Sequence, residues 1–372
     1  MKIAVLGAAG AMAQVVVRDL LESVPEVSIT AADRRPVAHP DPRVRFASAD
    51  ASDESATARL LEGHDAVLNC VTYYFNVPVM RAALAARVPY ADLGGLYHGS
   101  VKQFALHDDF RRAGGTALLG MGSTPGITNV MAGSLARGLD RVEAIHVRVG
   151  CVDRSASGPL PVPYALDTVL DEFSLEPMVF EDGAARAVPP MSGAETIDFP
   201  EPVGRAEAIY TLHSEVAMFP RSFAGLQDAS FKVAFEPAFV EKMRFLVELG
   251  LASRERLPGG VSPRDVLLDV AARQPALADA GPPNDADHLR VELTGRKQGR
   301  LVRRRGDMTV TPHERWRVAA GALDTGVPLS IAGQLLAGRA VSEPGVLCPE
   351  TAVPPELFFD MLERRGMRVH WS

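Results

Sequence analysis

Gly7, Gly10 and Ala13 stand three residues apart in VLGAAGAMAQVV (5–16), directly behind the apolar run at 3–6. A glycine at the first position allows a tight turn and one at the second lets backbone approach a ligand. A small third residue lets the following helix pack on a sheet. Such a turn aims unpaired N–H groups and the positive end of the helix dipole at a phosphate. Gly7, Ala9, Gly10, Ala11 and Met12 are therefore the candidates for holding the diphosphate of a dinucleotide. The spacing is G-x-x-G-x-x-A rather than G-x-G-x-x-G, so the context has to support it. Asp33 ends the next strand candidate, where a carboxylate meets ribose hydroxyls. Asp50 and Ala51 end the third, beside an adenine or as a helix cap. Cys70 and Val71 end the fourth and would touch a cofactor through their backbone. Asp33 favours NAD, because a carboxylate repels a 2′-phosphate. Arg34, with Arg35, could pair with that phosphate, so NADP is the alternative.

A second set of reactive types lies in YTLHSEVAMFPRSF (210–223). His213 has the pKa range for proton transfer, and Glu215 could orient it or hold an ammonium. A histidine at a strand end is also commonly satisfied by its neighbours. Arg221 could grip a carboxylate in a fork, or lie on an exposed turn. Asp153 and Arg154 precede SGPLPVPY (157–164), a segment suited to a cleft lid. Lys232 reads as a cleft base or as an outward-facing lysine. Asp92 closes the fifth strand candidate, on the edge where α/β sheets bind ligands. It could hold an ammonium, position a nicotinamide, or cap the turn at Gly94-Gly95. Cys70 has no histidine near it in sequence to make it a nucleophile.

The elements that must position these groups change character near residue 124. Before it, strands at 3–6, 27–33, 44–50, 65–71, 89–95 and 116–122 are separated by helix-length segments at 12–22, 53–64, 77–88 and 101–114. That alternation predicts an α/β unit, a doubly wound parallel sheet of the Rossmann type. Beyond it, TPGITNVMAGSLARGL (124–139) reads as a helix opened by Pro125. Strand candidates then recur at 141–152, 177–188 (a hairpin around Asp182-Gly183), 195–199, 207–213, 229–236, 289–296 and 300–310, with helices at 239–252 and 262–275. This predicts a second, α+β domain with a mostly antiparallel sheet. The stretch 275–288 reads as a surface loop, and the end of the chain as helices.

Composition excludes several classes. With 372 residues, 47% of them hydrophobic and 23% charged, the chain is expected to form two globular domains. A net charge of −7 offers nucleic acid no attraction, and GRKQGRLVRRRGD (295–307) reads as the exposed face of a hairpin. No apolar run reaches the roughly 18 residues that span a bilayer. The apolar start is too short for a signal peptide. Cys70, Cys151 and Cys348 lie far apart, which argues against disulfides and a metal cluster and fits a cytoplasmic protein.

Four stretches carry a family resemblance: the glycine turn; NCVTYYFNVPVMRAALAARVPYADLGG (69–95); GMGSTPGITNVMA (120–132); and TGVPLSIAGQLLAGRAVSEPGVLCPETAVPPELFFDMLERRGM (325–367). Together they resemble the saccharopine dehydrogenase-like superfamily, and within it the lysine 6-dehydrogenase and saccharopine reductase group. The resemblance implies that the tail returns to the nucleotide domain. Residues 1–124 and 315–372 would then form one domain and 125–314 a substrate-binding and oligomerisation domain. It further implies a homodimer or homotetramer, often through an open sheet of the second domain, and a small-molecule amino-acid or imine substrate. The chemistry implied is hydride transfer between a nicotinamide and a carbon bearing an amine, with a base to take the ammonium proton. The leading expectation is NAD(P)-dependent oxidation of the CH–NH or CH–NH2 group of a basic amino acid, as in lysine 6-dehydrogenase. One alternative is saccharopine reductase-type reduction of an imine joining an amino acid and an aldehyde; another is a non-catalytic NAD(P)-binding sensor. GCVDRSAS (150–157) stands where the family has a shorter glycine-rich turn. The substrate therefore stays open among lysine, saccharopine, another ω-amino acid and a polyamine-derived imine.

Overall fold

A strand buried on both faces must be apolar at nearly every position, and the short runs of the first third have that composition. The computed structural model describes residues 1–155, 160–273 and 282–372. In chain order the first part contains β1 (Lys2–Leu6), α1 (Ala11–Ser23), β2 (Ser28–Asp33), β3 (Val44–Ser48), α2 (Glu54–Leu61) and β4 (Ala66–Asn69). A short 3-10 turn (Tyr73–Phe75) leads into α3 (Asn76–Ala86), β5 (Tyr90–Asp92), α4 (Leu96–Phe104), α5 (His107–Ala113), β6 (Thr116–Leu118) and α6 (Ile127–Ala136). Next come β7 (Arg141–Asp153), α7 (Leu166–Ser174), β8 (Met178–Glu181), β9 (Ala184–Ala187), β10 (Glu195–Asp198), β11 (Arg205–Ala208) and α8 (Glu215–Ser222). They are followed by β12 (Asp228–Ala234), α9 (Pro237–Glu248), α10 (Pro263–Ala272), β13 (Asp285–Lys297) and β14 (Arg300–Val310). The chain ends with α11 (Ala320–Ala337), β15 (Gly345–Leu347), α12 (Pro349–Ala352), α13 (Pro355–Glu363) and β16 (His370–Trp371).

The first sheet has seven strands in the order β15-β6-β5-β4-β1-β2-β3, all parallel. Side chains alternate along β1, so Ile3 and Val5 face Val15, Val16 and Leu20 of α1, while Ala4 and Leu6 face Val79 and Met80 of α3. Strand β15 comes from the far end of the chain. Helix α11 packs along α1, where Ser330 Oγ donates to Asp19 Oδ2 at 2.5 Å, and Arg365 closes on Asp19 at 2.6 and 2.9 Å. The tail thus packs on the first sheet, although its last strand, β16, pairs with β14 of the second.

The second sheet runs β16-β14-β13-β7-β12-β8-β9. Only β7 and β12 pair in parallel; the remaining neighbours are antiparallel. One face, with Ile145, Val147, Phe231, Leu289 and Val291, shares a core with α6, α11 and the first sheet. The opposite face carries Arg148, Lys232 and Arg290 and is partly covered by the β10–β11 hairpin.

Several expectations need correction. The helix expected at 101–114 is two helices. Phe104 and Phe110 are buried in the same core cluster, yet six residues of continuous helix would leave them pointing about 120° apart. Pro125 does not open a helix. It lies in a turn after a cis peptide bond with Thr124, and α6 starts at Ile127. Gly126 sits at φ +131°, where an added Cβ would lie 2.0 Å from the Gly122 carbonyl oxygen, so only glycine closes this turn. Of the loop expected at 275–288, residues 275–281 lie outside the described residues, and the end belongs to β13. The lid segment at 157–164 also lies partly outside them. Helix α7 has no counterpart among the expected elements. No described helix is long and apolar enough to cross a membrane.

Candidate active site

The glycine turn is built from backbone. Gly7 has φ +77°, and a Cβ there would come within 2.8–2.9 Å of the Cys70 carbonyl and the Val71 amide. Any other residue would drive β1 and β4 apart. Gly10 is the N-cap of α1, and its amide donates to the Gly7 carbonyl at 2.9 Å. A Cβ on Gly10 would meet only that carbonyl oxygen, at 3.1 Å, which leaves a cradle open above it. Asp33 binds the turn directly: Oδ2 accepts from Ala9 N at 3.0 Å and Oδ1 from Arg35 N at 2.8 Å. The Gly7 and Ala8 amides bond to the Ala32 carbonyl. That leaves the first-turn amides of Ala11 and Met12 without an acceptor among the described residues. These residues fit a dinucleotide diphosphate, which the later amides of the turn, rather than all of them, would hold. Arg34 and Arg35 are exposed. Asp50 is a turn cap, accepting from Ser52 N at 2.9 Å and Ser52 Oγ at 2.7 Å, with Ala51 beside it. Burial pushes the Cys70 thiol up, which leaves it inert; its backbone and that of Val71 form the wall behind Gly7.

Over the C-terminal edge of the same sheet lies the start of α8. Ser214 Oγ accepts from Gly95 N at 3.4 Å, and Glu215 is the first helical residue, accepting from Thr128 Oγ1 at 3.4 Å. His213 does not end a strand, since β11 stops at Ala208. Its ring lies in the connection, stacked on Phe231 at 3.8 Å and 12°, with Nδ1 at 2.5 Å from Glu215 Oε2. Burial by itself would lower the histidine pKa. The Glu215 carboxylate outweighs burial through charge and hydrogen bond, and the pKa is raised. With Nδ1 pinned, Nε2 is the ring nitrogen left for proton exchange.

Glu172 of α7 comes within electrostatic reach of this pair. Its Oε2 accepts from Tyr164 Oη at 2.5 Å. Burial pushes its carboxyl up to about 7, against the pull of His213 and Tyr164. Beyond Tyr164 the wall stays acidic, with Cys151, Asp287, Asp324 and Asp285. Asp324 accepts from Ser123 Oγ at 2.9 Å, and Asp285 Oδ2 accepts from Ala320 N at 2.7 Å, heading α11. The other oxygen of Asp285 is buried without a partner. Burial raises all three carboxyls. No arginine or lysine pairs with any of them among the described residues.

Four expected site residues belong elsewhere. Asp92 is 0% exposed and already engaged by Gly94 N (2.9 Å), Gly120 N (2.7 Å), Tyr90 Oη (2.9 Å) and Gln103 Nε2 (2.5 Å). It ties two turns together and has no lone pair left for a substrate. Lys232 follows Phe231 on β12 and so faces the opposite side of the sheet, 2.8 Å from Glu195 Oε2 and over the Tyr210 ring. Arg221 lies six residues beyond Glu215, at the far end of α8, its guanidinium 4.3 Å over Phe104. Arg154 is exposed and donates to the Pro202 carbonyl at 3.0 Å. Asp153 stands opposite Asp285 at the rim of the acidic wall, accepting from Ser155 N at 2.9 Å. Glu172, Tyr164, Asp287 and Asp324 were missed. The only sequence signal for the first is the spacing Leu166, Val169, Leu170, Phe173, a helix with two acids on one turn. Among the described residues, no cluster of three or more His, Cys, Asp or Glu side chains could hold a metal ion.

Residues 3–118 match the family described as "Saccharopine dehydrogenase NADP binding domain", and residues 122–367 the one described as "Saccharopine dehydrogenase C-terminal domain". Carboxyaminopropylagmatine dehydrogenase of Synechocystis is 25% identical over 345 residues, spanning 88% of this chain and 85% of that protein. Carboxynorspermidine synthase of Vibrio cholerae is 24% identical over 325 residues, 82% of this chain and 76% of that protein. An apo saccharopine dehydrogenase (L-Glu forming) from Saccharomyces cerevisiae matches with a TM-score of 0.73 at 16% identity. The match covers 100% of this chain and 99% of that one, and shows a shared fold. The chain belongs to the saccharopine dehydrogenase family of NAD(P)-dependent oxidoreductases.

Proposed function

We propose that the chain acts on the CH–NH bond of a secondary amine, reducing an imine formed between a carboxyl-bearing aldehyde and a di- or polycationic amine, or running the reverse oxidation. The carrying observation is a set of carboxyls brought together beside His213: Glu172 and Asp324 are buried, Asp287 and Asp285 half-buried, all four are raised in pKa, and none has an arginine or lysine partner among the described residues. A row of unpaired carboxyls out of water is costly, and ammonium groups from a substrate offset that cost. A lysine side chain brings one such charge; the row is longer. The two relatives named above are called after amines that bear a carboxyl group, carboxyaminopropylagmatine and carboxynorspermidine. That agrees with the imine-joining alternative better than with lysine 6-dehydrogenase.

The hydride would come from, or go to, a nicotinamide dinucleotide held at the glycine turn. The chain's own residues do the rest. The amides of Ala11 and Met12 and the cradle over Gly10 hold the diphosphate. The acidic wall fixes the amine and strips its water, which lowers the entropy cost of bringing the reacting groups together. His213, its Nδ1 held by Glu215, keeps a proton at Nε2 for the imine nitrogen. Glu172 and Tyr164 hold a second exchangeable proton beside it.

The test is NADPH or NADH oxidation with an amino-acid semialdehyde and a linear diamine or guanidino-amine, offered singly and together. Oxidation is expected only with both present. His213→Ala should lower kcat by about 100-fold or more while nucleotide affinity stays within about twofold. Reduction of NAD by lysine alone would return the assignment to a lysine 6-dehydrogenase, and nucleotide binding without any turnover would favour the sensor.

A further inference from the structure

Asp171 precedes Glu172 on α7 and points about 100° away from it around the helix. It sits where α7 meets the turn that follows β4. Its Oδ2 accepts from Tyr73 Oη at 2.6 Å and also from Tyr74 Oη. Its Oδ1 lies 2.5 Å from Arg264 Nη1, a guanidinium that is 2% exposed and anchored through Nε to the Ala252 carbonyl at 2.7 Å. Arg254 closes the outside, 4.9 Å over the Tyr74 ring and 2.8 Å from Asp167 Oδ1. One carboxylate is therefore held by a cation from its own half of the molecule and by two phenols from the nucleotide-binding half. Burial alone would raise its pKa; the tyrosines and Arg264 outweigh burial and keep Asp171 ionised.

What those phenols are attached to gives the arrangement its consequence. Tyr73 and Tyr74 follow Cys70 and Val71 with only Thr72 between, and the backbone of Cys70 and Val71 is in contact with the Gly7 position. The path from nucleotide turn to α7 is thus short and stiff: Gly7, the 70–72 backbone, two tyrosines, Asp171. The next residue along the helix is Glu172, which faces Tyr164 and His213.

We infer that Asp171 is a positioning residue: through Tyr73 and Tyr74 it transmits occupancy of the glycine turn to α7, and so sets Glu172 against His213. The inference rests on nucleotide binding at that turn and is independent of the substrate proposed above.

The test is amide hydrogen exchange on the full chain, with and without saturating NADPH, read at 7–16 and at 166–174. In the parent protein NADPH should slow exchange in both segments, by about fivefold or more in the second. The double substitution Tyr73→Phe, Tyr74→Phe keeps the Asp171–Arg264 pair and removes only the crossing hydroxyls. It should retain the slowing at 7–16, lose most of it at 166–174, and bind NADPH within about threefold of the parent. Asp171→Asn should behave likewise, with kcat down about tenfold at unchanged nucleotide KM, and Asp171→Glu should recover part of both. A parent that shows no slowing at 166–174, or a double variant that keeps it, overturns the inference. Absence of slowing at 7–16 in the parent would instead remove the nucleotide site itself.

Discussion

Asp287 and His288 are neighbours on β13, yet their side chains meet opposite fates. His288 and Arg290, on the back of the sheet, share Asp307 at 2.9 and 2.7 Å, and Arg305 takes its second oxygen at 2.7 Å. Arg148 and Lys232 share Glu195 on the same face. Burial would raise Asp307, but these partners hold it down to about 2, and they hold Glu195 low as well. On the cleft face, Glu172 and Asp324 are buried and Asp285 and Asp287 half-buried, with hydroxyl, thiol and amide neighbours instead, and all are raised. The charges of the back face are paired within the fold, whereas the four raised carboxyls of the cleft face have no arginine or lysine partner among the described residues.

Removing a carboxylate should therefore have opposite effects on the two faces. The largest change is expected on the back. Asp307→Asn leaves two cations and a histidine without their anion and should cost about 3–4 kcal/mol in urea unfolding at pH 7. The pH dependence carries the same sign. A depressed carboxyl stabilises above its unfolded value of about 3.9, and that contribution fades as pH falls toward 2. An Asp307→Asn variant as stable as the parent would erase the contrast.

Glu172→Gln should do the reverse, and by less. A carboxyl raised to about 7 binds a proton in the native state that the unfolded chain has already lost, so stability falls as pH rises from about 4.5 to 7. Removing the acid should recover about 2–3 kcal/mol at pH 8 and nothing at pH 4, while turnover drops. Equal stability of the two proteins at both pH values would show that Glu172 is not held out of water.

The same contrast explains how much was readable beforehand. Gly7 could be found because its requirement is local: a strand, a left-handed turn and a helix in ten residues. The parallel sheet followed from apolar runs at regular intervals, and the shape of the second sheet from alternation. Side chains that act by converging were less legible. His213 and Glu215 are two residues apart and were found together, but Glu172, Asp287 and Asp324 come from three elements and Tyr164 from the connection before α7. Asp287 fell in a stretch rich enough in proline and aspartate to read as loop. Lys232 and Arg221 stay open in the sequence for a related reason: the phase of a strand and of a helix decides which way they point, and only the packed neighbours set that phase. Asp92 looked reactive because it ends a strand at the ligand edge, and nothing in sequence showed four donors closing on it.

The smallest effect bears on the cleft face alone. A linear triamine such as norspermidine carries three charges along a flexible chain, which matches a row of carboxyls better than it matches any single one. If the wall binds it in the native state only, the stabilisation follows RT ln(1 + [L]/Kd), about 1.4 kcal/mol at ten times Kd. A thermal melt at pH 8 should show the midpoint rising with triamine and unchanged by a monoamine at equal ionic strength, since buried pairs are screened less than surface ones. The increment should shrink at pH 5, where Glu172, pushed up to about 7, holds its proton and the row offers the triamine less charge. Asp287→Asn should abolish most of it, because the substitution removes a charge from the middle of the row while leaving the back face intact. An increment of the same size in Asp287→Asn would mean that the triamine binds an ordinary acidic surface, and the cleft face would lose its claim to be waiting for a cation.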